Sequence, residues 1–99
     1  MAQVAWRYEP ERFVSRDLDR LLALWRSIPE QATEWPEWDD YSRSDFRIEW
    51  PIERERLCRV REAANADMLV NDQRDKYEEL LRLIEEHRAT VEWMLDGPI

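Results

Sequence analysis

A single glycine, Gly97, stands near the end of this 99-residue chain, and none precedes it. Phosphate-cradling loops, dinucleotide-binding fingerprints and the strained nucleophile elbow all require glycine inside the fold, so none of them can be built here. Cysteine is as scarce: Cys58 is alone and cannot close an intramolecular disulfide. Histidine is limited to His87, and neither HExxH nor paired cysteines occur, so the usual zinc patterns are missing. Positive charge is also short, with 15 Lys and Arg against 23 Asp and Glu for a net charge of −8. Nucleic acid and anionic membranes both demand clustered Lys and Arg, so neither is expected as a direct partner. No apolar run approaches the ~18 residues of a membrane helix, and the first six residues lack a basic region followed by an apolar one. A soluble, cytoplasmic protein is expected.

What is present suits a helical domain. Apolar residues at 43% supply a core and charged residues at 38% a solvated surface, and a chain of this length hides roughly 60 to 68% of its unfolded surface, enough for one domain spanning 1–99. The clearest periodicity lies between Asp72 and Leu95. Tyr77, Leu80, Leu81, Ile84, His87, Val91, Met94 and Leu95 recur at steps of three and four, on one side of a helix, while Glu78, Glu79, Arg82, Glu85, Glu86 and Glu92 fill the other. Asp72 and Asp75 suit its start, Glu78 to Arg82 is a favourable i,i+4 pair, and Gly97-Pro98 suits its end.

Earlier in the chain, Val14, Leu18, Leu21, Leu22, Trp25 and Ile28 keep the same spacing, with Ser15 as N-cap and Pro29 as the stop near Ser27. Pro51 fits the first turn of another helix carrying Leu57, Val60, Ala64 and Met68. Continued without a break, that stripe would face nearly away from Leu80, Ile84 and Val91, so a break near Asn71-Asp72 is expected. The fold class is therefore mainly α: a compact three-helix domain with a C-terminal helical hairpin over about 52–70 and 73–95. Alternating residues at 4–8 and 46–50 suggest a small two-stranded ribbon beside it. The competing arrangement is one long helix, because Ala63, Ala66, Val70, Gln73, Tyr77, Leu80, Ile84, His87, Val91 and Met94 follow a heptad-like repeat.

Residues 30 to 50 differ in composition, with seven acids against two arginines and with Trp35, Trp38 and Trp50 set among them. Trp25, Trp6 and Trp50 are expected in the core. Trp35, Trp38 and Trp93 are expected at the surface as anchors for a partner, with Glu34, Glu37, Asp39, Asp40 and Tyr41 around the first two. Other chemistry is weaker. Glu78, Glu79, Glu85 and Glu86 could hold a divalent ion if Glu62 or Asp67 joined them, but outward acids are normal on amphipathic helices. Cys58 and His87 could approach in a hairpin, but no orienting Asp or Asn and no oxyanion site accompanies them. Arg54, Arg56, Arg59 and Arg61 alternate with acids and suit a solvated face. No catalytic, cofactor or metal site is assigned. The expected function is that of a non-catalytic acidic interaction module, an inhibitor or accessory subunit that binds a basic protein surface, including one that itself binds nucleic acid. The alternatives are a subunit dimerising through the heptad-like helix 63–94 and a small helical enzyme with a carboxylate-bound metal.

Overall fold

The computed structural model describes the backbone of residues 10–96 and the side chains of residues 13–96. Three long helices make up the fold: α1 (Pro10–Glu34), α2 (Asp40–Asn65) and α3 (Asn71–Leu95), with a 3₁₀ turn at Trp35–Glu37 between the first two. Ser15 meets Gln73 and Asp19 meets Lys76, so α1 and α3 run side by side in the same direction. Asp17 meets Arg59 and Trp25 meets Trp50, so α2 runs against α1. The bundle measures 52 × 29 × 18 Å. The expected hairpin is there, but its two arms meet each other less than either meets α1, with α1 packing most extensively on α3. A crevice bordered by Trp25, Trp50, Leu57 and Val91 opens between the arms.

The core follows the periodicity of the sequence. Val14, Leu18, Leu21, Leu22, Trp25 and Ile28 are buried along α1, against Val60 and Ala63 from α2 and Leu80, Leu83, Ile84, Val91 and Met94 from α3. Burying a residue such as Leu18 or Leu80 contributes roughly 2 kcal/mol by transfer alone.

Both boundaries drawn at proline, the stop at Pro29 and the start at Pro51, are corrected. Pro29 and Pro51 lie inside α1 and α2, and both are exposed. An internal proline removes one donor from the ladder, but here tertiary packing outweighs that loss. Ile28, Ala32 and Trp35 carry the buried stripe of α1 straight past Pro29. The Ser27 hydroxyl donates to the Leu24 carbonyl (2.7 Å) and accepts from Gln31 Nε2 (2.7 Å), bracing the turn around the proline. In α2, Phe46, Trp50 and Leu57 do the same across Pro51. Ser15 is accordingly not an N-cap: it lies inside α1, where its hydroxyl accepts from Gln73 Nε2 at 2.7 Å.

The ribbon is also corrected, because residues 46–50 belong to α2. Phe46 and Trp50 are four apart, so they share a face in a helix as readily as in a strand. Ile48 decides between the two: it is exposed, on the side away from them. Residues 4–8, including Trp6, lie outside the described residues, as does Gly97-Pro98.

The break falls before Asn71 and not at it. Asp67 sits in the left-handed region at φ 58°, Met68 N–H donates to the Ala63 carbonyl (2.9 Å) and Asp67 N–H to that of Ala64 (3.0 Å). These two bonds define a Schellman ending with Asp67 where glycine usually stands. Residues 63–94 are therefore not one helix, and the heptad-like run does not form a continuous seam. The start of α3 is held by Gln73 and not by Asp72 or Asp75: Gln73 Oε1 accepts from the Val70 N–H at 3.1 Å. On the outer face of α3, Arg82 pairs with Glu79 (2.7 Å) and Glu86 (2.9 Å) and not with Glu78.

Candidate functional site

The acidic segment forms the turn from α1 into α2, and two arginines shape it from within. Arg43 Nε donates to the Trp35 carbonyl (3.1 Å) and its Nη2 to the Pro36 carbonyl (2.9 Å), which ties the 3₁₀ turn to the first turns of α2. Arg47 Nε donates to the Met94 carbonyl at 3.1 Å, capping the end of α3 from a neighbouring helix. Both guanidinium groups lie over the Trp35 ring, at 6.0 Å and 5.5 Å from its centroid. These are the only basic residues between 30 and 50, and both are engaged with backbone and ring.

An aromatic cluster fills the turn. Trp35 is 5% exposed and touches Trp38 (centroids 5.1 Å apart), Phe46 (5.4 Å) and Trp93 (6.5 Å). Phe46 stacks on Trp50 at 5.4 Å and 27°, and Trp50 meets Trp25 edge to face at 5.6 Å. Tilted and edge-to-face pairs of this kind add to the stability that area burial gives. Trp35 is therefore a core residue and not a surface anchor. It continues the α1 stripe from Ile28 and Ala32, and that spacing was the signal that could have placed it.

Outside this cluster, a cleft of about 580 Å³ is lined by Gln31, Glu37, Trp38, Asp39, Tyr41, Ser42, Asp45, Phe46 and Glu49. Of the expected partner-binding residues it brings together Glu37, Trp38, Asp39 and Tyr41. Trp38 is half-buried, and Tyr41 is 81% exposed at the mouth. Glu34, at the end of α1, and Asp40 are exposed but line no part of it. Asp40 instead pairs with Arg43 at 3.6 Å. Trp93 is 54% exposed on α3, beside Trp35 but outside the cleft. Asp45, Phe46 and Glu49 were missed as lining residues. Together with Ser42 they share one face of α2, which becomes visible only when 40–50 is taken as helix.

The carboxylates of the cleft are not equivalent. Asp39 N-caps α2, with Oδ1 accepting from the Ser42 N–H at 2.7 Å. That bond, with the Ser42 hydroxyl second, holds the Asp39 carboxyl below its usual range. Glu37, Asp45 and Glu49 have no Lys or Arg within ion-pair reach among the described residues. Three like charges line one opening, and no cation among the described residues pairs with them.

The other constellations do not assemble. Among the described residues, no group of three His, Cys, Asp or Glu side chains is placed to hold a metal ion. Cys58 is exposed, and the neighbour of His87 Nε2 is Glu86 at 3.9 Å. The arginine run is corrected in part: Arg54 and Arg61 are exposed, but Arg59 and Arg56 reach buried Asp17 at 3.1 Å and 3.8 Å. No helix among the described residues is long and apolar enough to cross a membrane.

Fold and cleft define a mainly α three-helix bundle that presents an acidic, aromatic-floored opening at one end. No protein-family model, no curated protein and no solved structure matches the chain.

Proposed function

We propose that this is a non-catalytic interaction module, an inhibitor or accessory subunit, which docks the turn at residues 34–50 onto a basic surface of a partner protein. The observation that carries this is the charge imbalance at the cleft. Arg43 and Arg47 are drawn inward to carbonyl groups and the Trp35 ring, while Glu37, Asp45 and Glu49 line the opening with no ion-pair partner among the described residues. Such an arrangement accelerates encounter with a basic surface, and Trp38 and Tyr41 supply the amphipathic rings that interfaces favour. Nucleic acid and membrane would be repelled by the same charge. The basic surface of the partner could itself be one that binds nucleic acid, and the lone Cys58 suits a reducing, cytoplasmic setting.

Affinity capture from native cell extract, done in parallel with Glu37→Lys/Glu49→Lys and with Glu55→Lys/Glu78→Lys, tests this. The expected partner is basic, is lost by the first variant and is retained by the second. Equal retention by both would overturn the docking function.

A second reading, self-assembly through α2 and not through the heptad-like run 63–94, is favoured by one observation, the exposed stripe of Tyr41, Ile48 and Ile52. It ranks second, because two copies meeting there would oppose Asp45 and Glu49 to their own counterparts. A concentration-independent monomer in light scattering removes it.

A further inference from the structure

The cleft has the chemistry of an arginine receptor. This rests on the docking function proposed above and goes further by naming the side chain received. We infer that the partner contributes an arginine, set in a segment with apolar side chains beside it, whose guanidinium lies against Trp38 and forks toward Asp45 and Glu49.

Three observations lead there. First, the floor is aromatic: Trp38 and Phe46 meet at 6.3 Å with their planes 76° apart, and both line the cleft. The accessible part of half-buried Trp38 offers a π surface in an acidic setting, which favours a cation over an uncharged ring. Second, this aromatic cluster already receives two guanidinium groups of its own chain, Arg43 and Arg47 over Trp35. Stacking of arginine is thus in use on the inner side of the cluster, while the outer side is lined by carboxylates and, among the described residues, by no cation. Third, Asp45 and Glu49 are one helical turn apart on α2 and both line the cleft. A planar fork donates to carboxylates while its face stays on a ring. A lysine ammonium is a compact, strongly hydrated charge and does one or the other.

The apolar neighbours follow from α2 as well. At ~100° per residue Tyr41, Asp45, Ile48 and Ile52 share the outer stripe, and Ile48 and Ile52 are 58% and 56% exposed. An arginine entering at Asp45 therefore brings the residues beside it over two isoleucines. Charge complementarity selects the arginine, and the isoleucines select what flanks it.

The test uses the full-length, ¹⁵N-labelled protein and two synthetic probes, a leucine- and arginine-containing peptide and the same peptide with every arginine replaced by lysine. Titration is followed by amide and indole N–H shifts. The arginine peptide is expected to move the Trp38 indole and the amides of Asp45 to Glu49, and to bind roughly fivefold or more tighter than the lysine peptide. Asp45→Asn/Glu49→Gln should abolish that preference, and Glu55→Gln/Glu78→Gln, with the same change of charge, should keep it. Equal affinity of the two peptides at the cleft overturns the arginine assignment and leaves the docking function standing. No shift at the cleft with either peptide overturns both. Shifts spread evenly over the acids of α3 also overturn the assignment, since they mark attraction to net charge alone.

Discussion

Asp17 on α1 and Arg59 on α2 form an ion pair, Oδ2 to Nε 3.1 Å apart, in which the aspartate is 5% exposed and the arginine side chain half-exposed. Arg56 stands 3.8 Å from the other oxygen of the same carboxylate and also pairs with Glu53 at 2.8 Å. A carboxylate taken out of water is costly unless cations and donors replace the water, so the pair fixes how α2 lies on α1 more than it adds stability.

Arg59→Met should cost about 1 to 2 kcal/mol, since Arg56 remains, and Arg56→Met/Arg59→Met should cost about 3 kcal/mol or more by stranding the charge. Asp17→Leu should be close to neutral, because Phe13, Val14, Ala63 and Met68 border the same groove and would receive an apolar group. Urea unfolding of the four proteins checks the order, and a large loss in Asp17→Leu alone would show that the pair is a net source of stability.

The tryptophans divide by burial. Trp35→Ala should lose roughly 3 to 5 kcal/mol of folding stability, and Trp93→Ala should lose under about 1 kcal/mol. Trp38→Ala should fall between, about 1 to 3 kcal/mol, because half-buried Trp38 packs on both Trp35 and Phe46. Thermal unfolding ranks them.

Asp39 couples the cleft to acid. Its carboxyl is held below the usual range by the Ser42 N–H, so its folded value lies beneath its unfolded one. The stability it gives is then complete above the unfolded value and lost as pH falls through the folded value. Asp39→Ala should lower the melting temperature at pH 7 and have little effect once the carboxyl is protonated. Asp39→Asn keeps an acceptor for the cap and should melt close to the parent at pH 7. A melting temperature for Asp39→Ala that tracks the parent across the whole range would remove the cap from the account.

Asp67 is held at a φ of 58°, which β-branched residues tolerate poorly. Asp67→Val should cost about 1 to 2 kcal/mol, whereas Asp67→Gly should be neutral or stabilising by up to about 1 kcal/mol. Hydrogen exchange should show weak protection over residues 66–70, between well-protected Val60 and Leu80. Uninterrupted protection from 62 to 85 would restore the single long helix.

Much of this was legible in the apolar spacing. The stripes from Val14 to Ile28 and from Leu80 to Met94 were readable because buried positions on amphipathic helices repeat at 3.6, whatever they pack against. The prolines misled, since a local rule about one missing donor says nothing of the buried residues on either side. A helix that starts at Pro51 leaves Asp45, Phe46 and Glu49 without a common face, which hides a third of the cleft lining. Asp17 was overlooked for a related reason: it lies three residues after Val14 and four before Leu21, inside the stripe, where a charge signals a buried partner. The turn at Asp67 had no glycine to mark it, so the more usual turn pair Asn71-Asp72 drew the boundary forward.

The aromatic chain has an optical consequence. Trp25, Trp50, Phe46, Trp35 and Trp38 touch in succession from the middle of the bundle to the cleft, and the Trp35 and Trp38 rings are 5.1 Å apart at 42°. Indoles that close and skewed couple their transitions, which gives a paired positive and negative band in circular dichroism in place of two independent ones. Excitation absorbed at Trp25 can likewise pass from indole to indole toward the opening. Light absorbed in the core is thus reported at the rim, and an occupant of the cleft would alter the emission of residues it never touches.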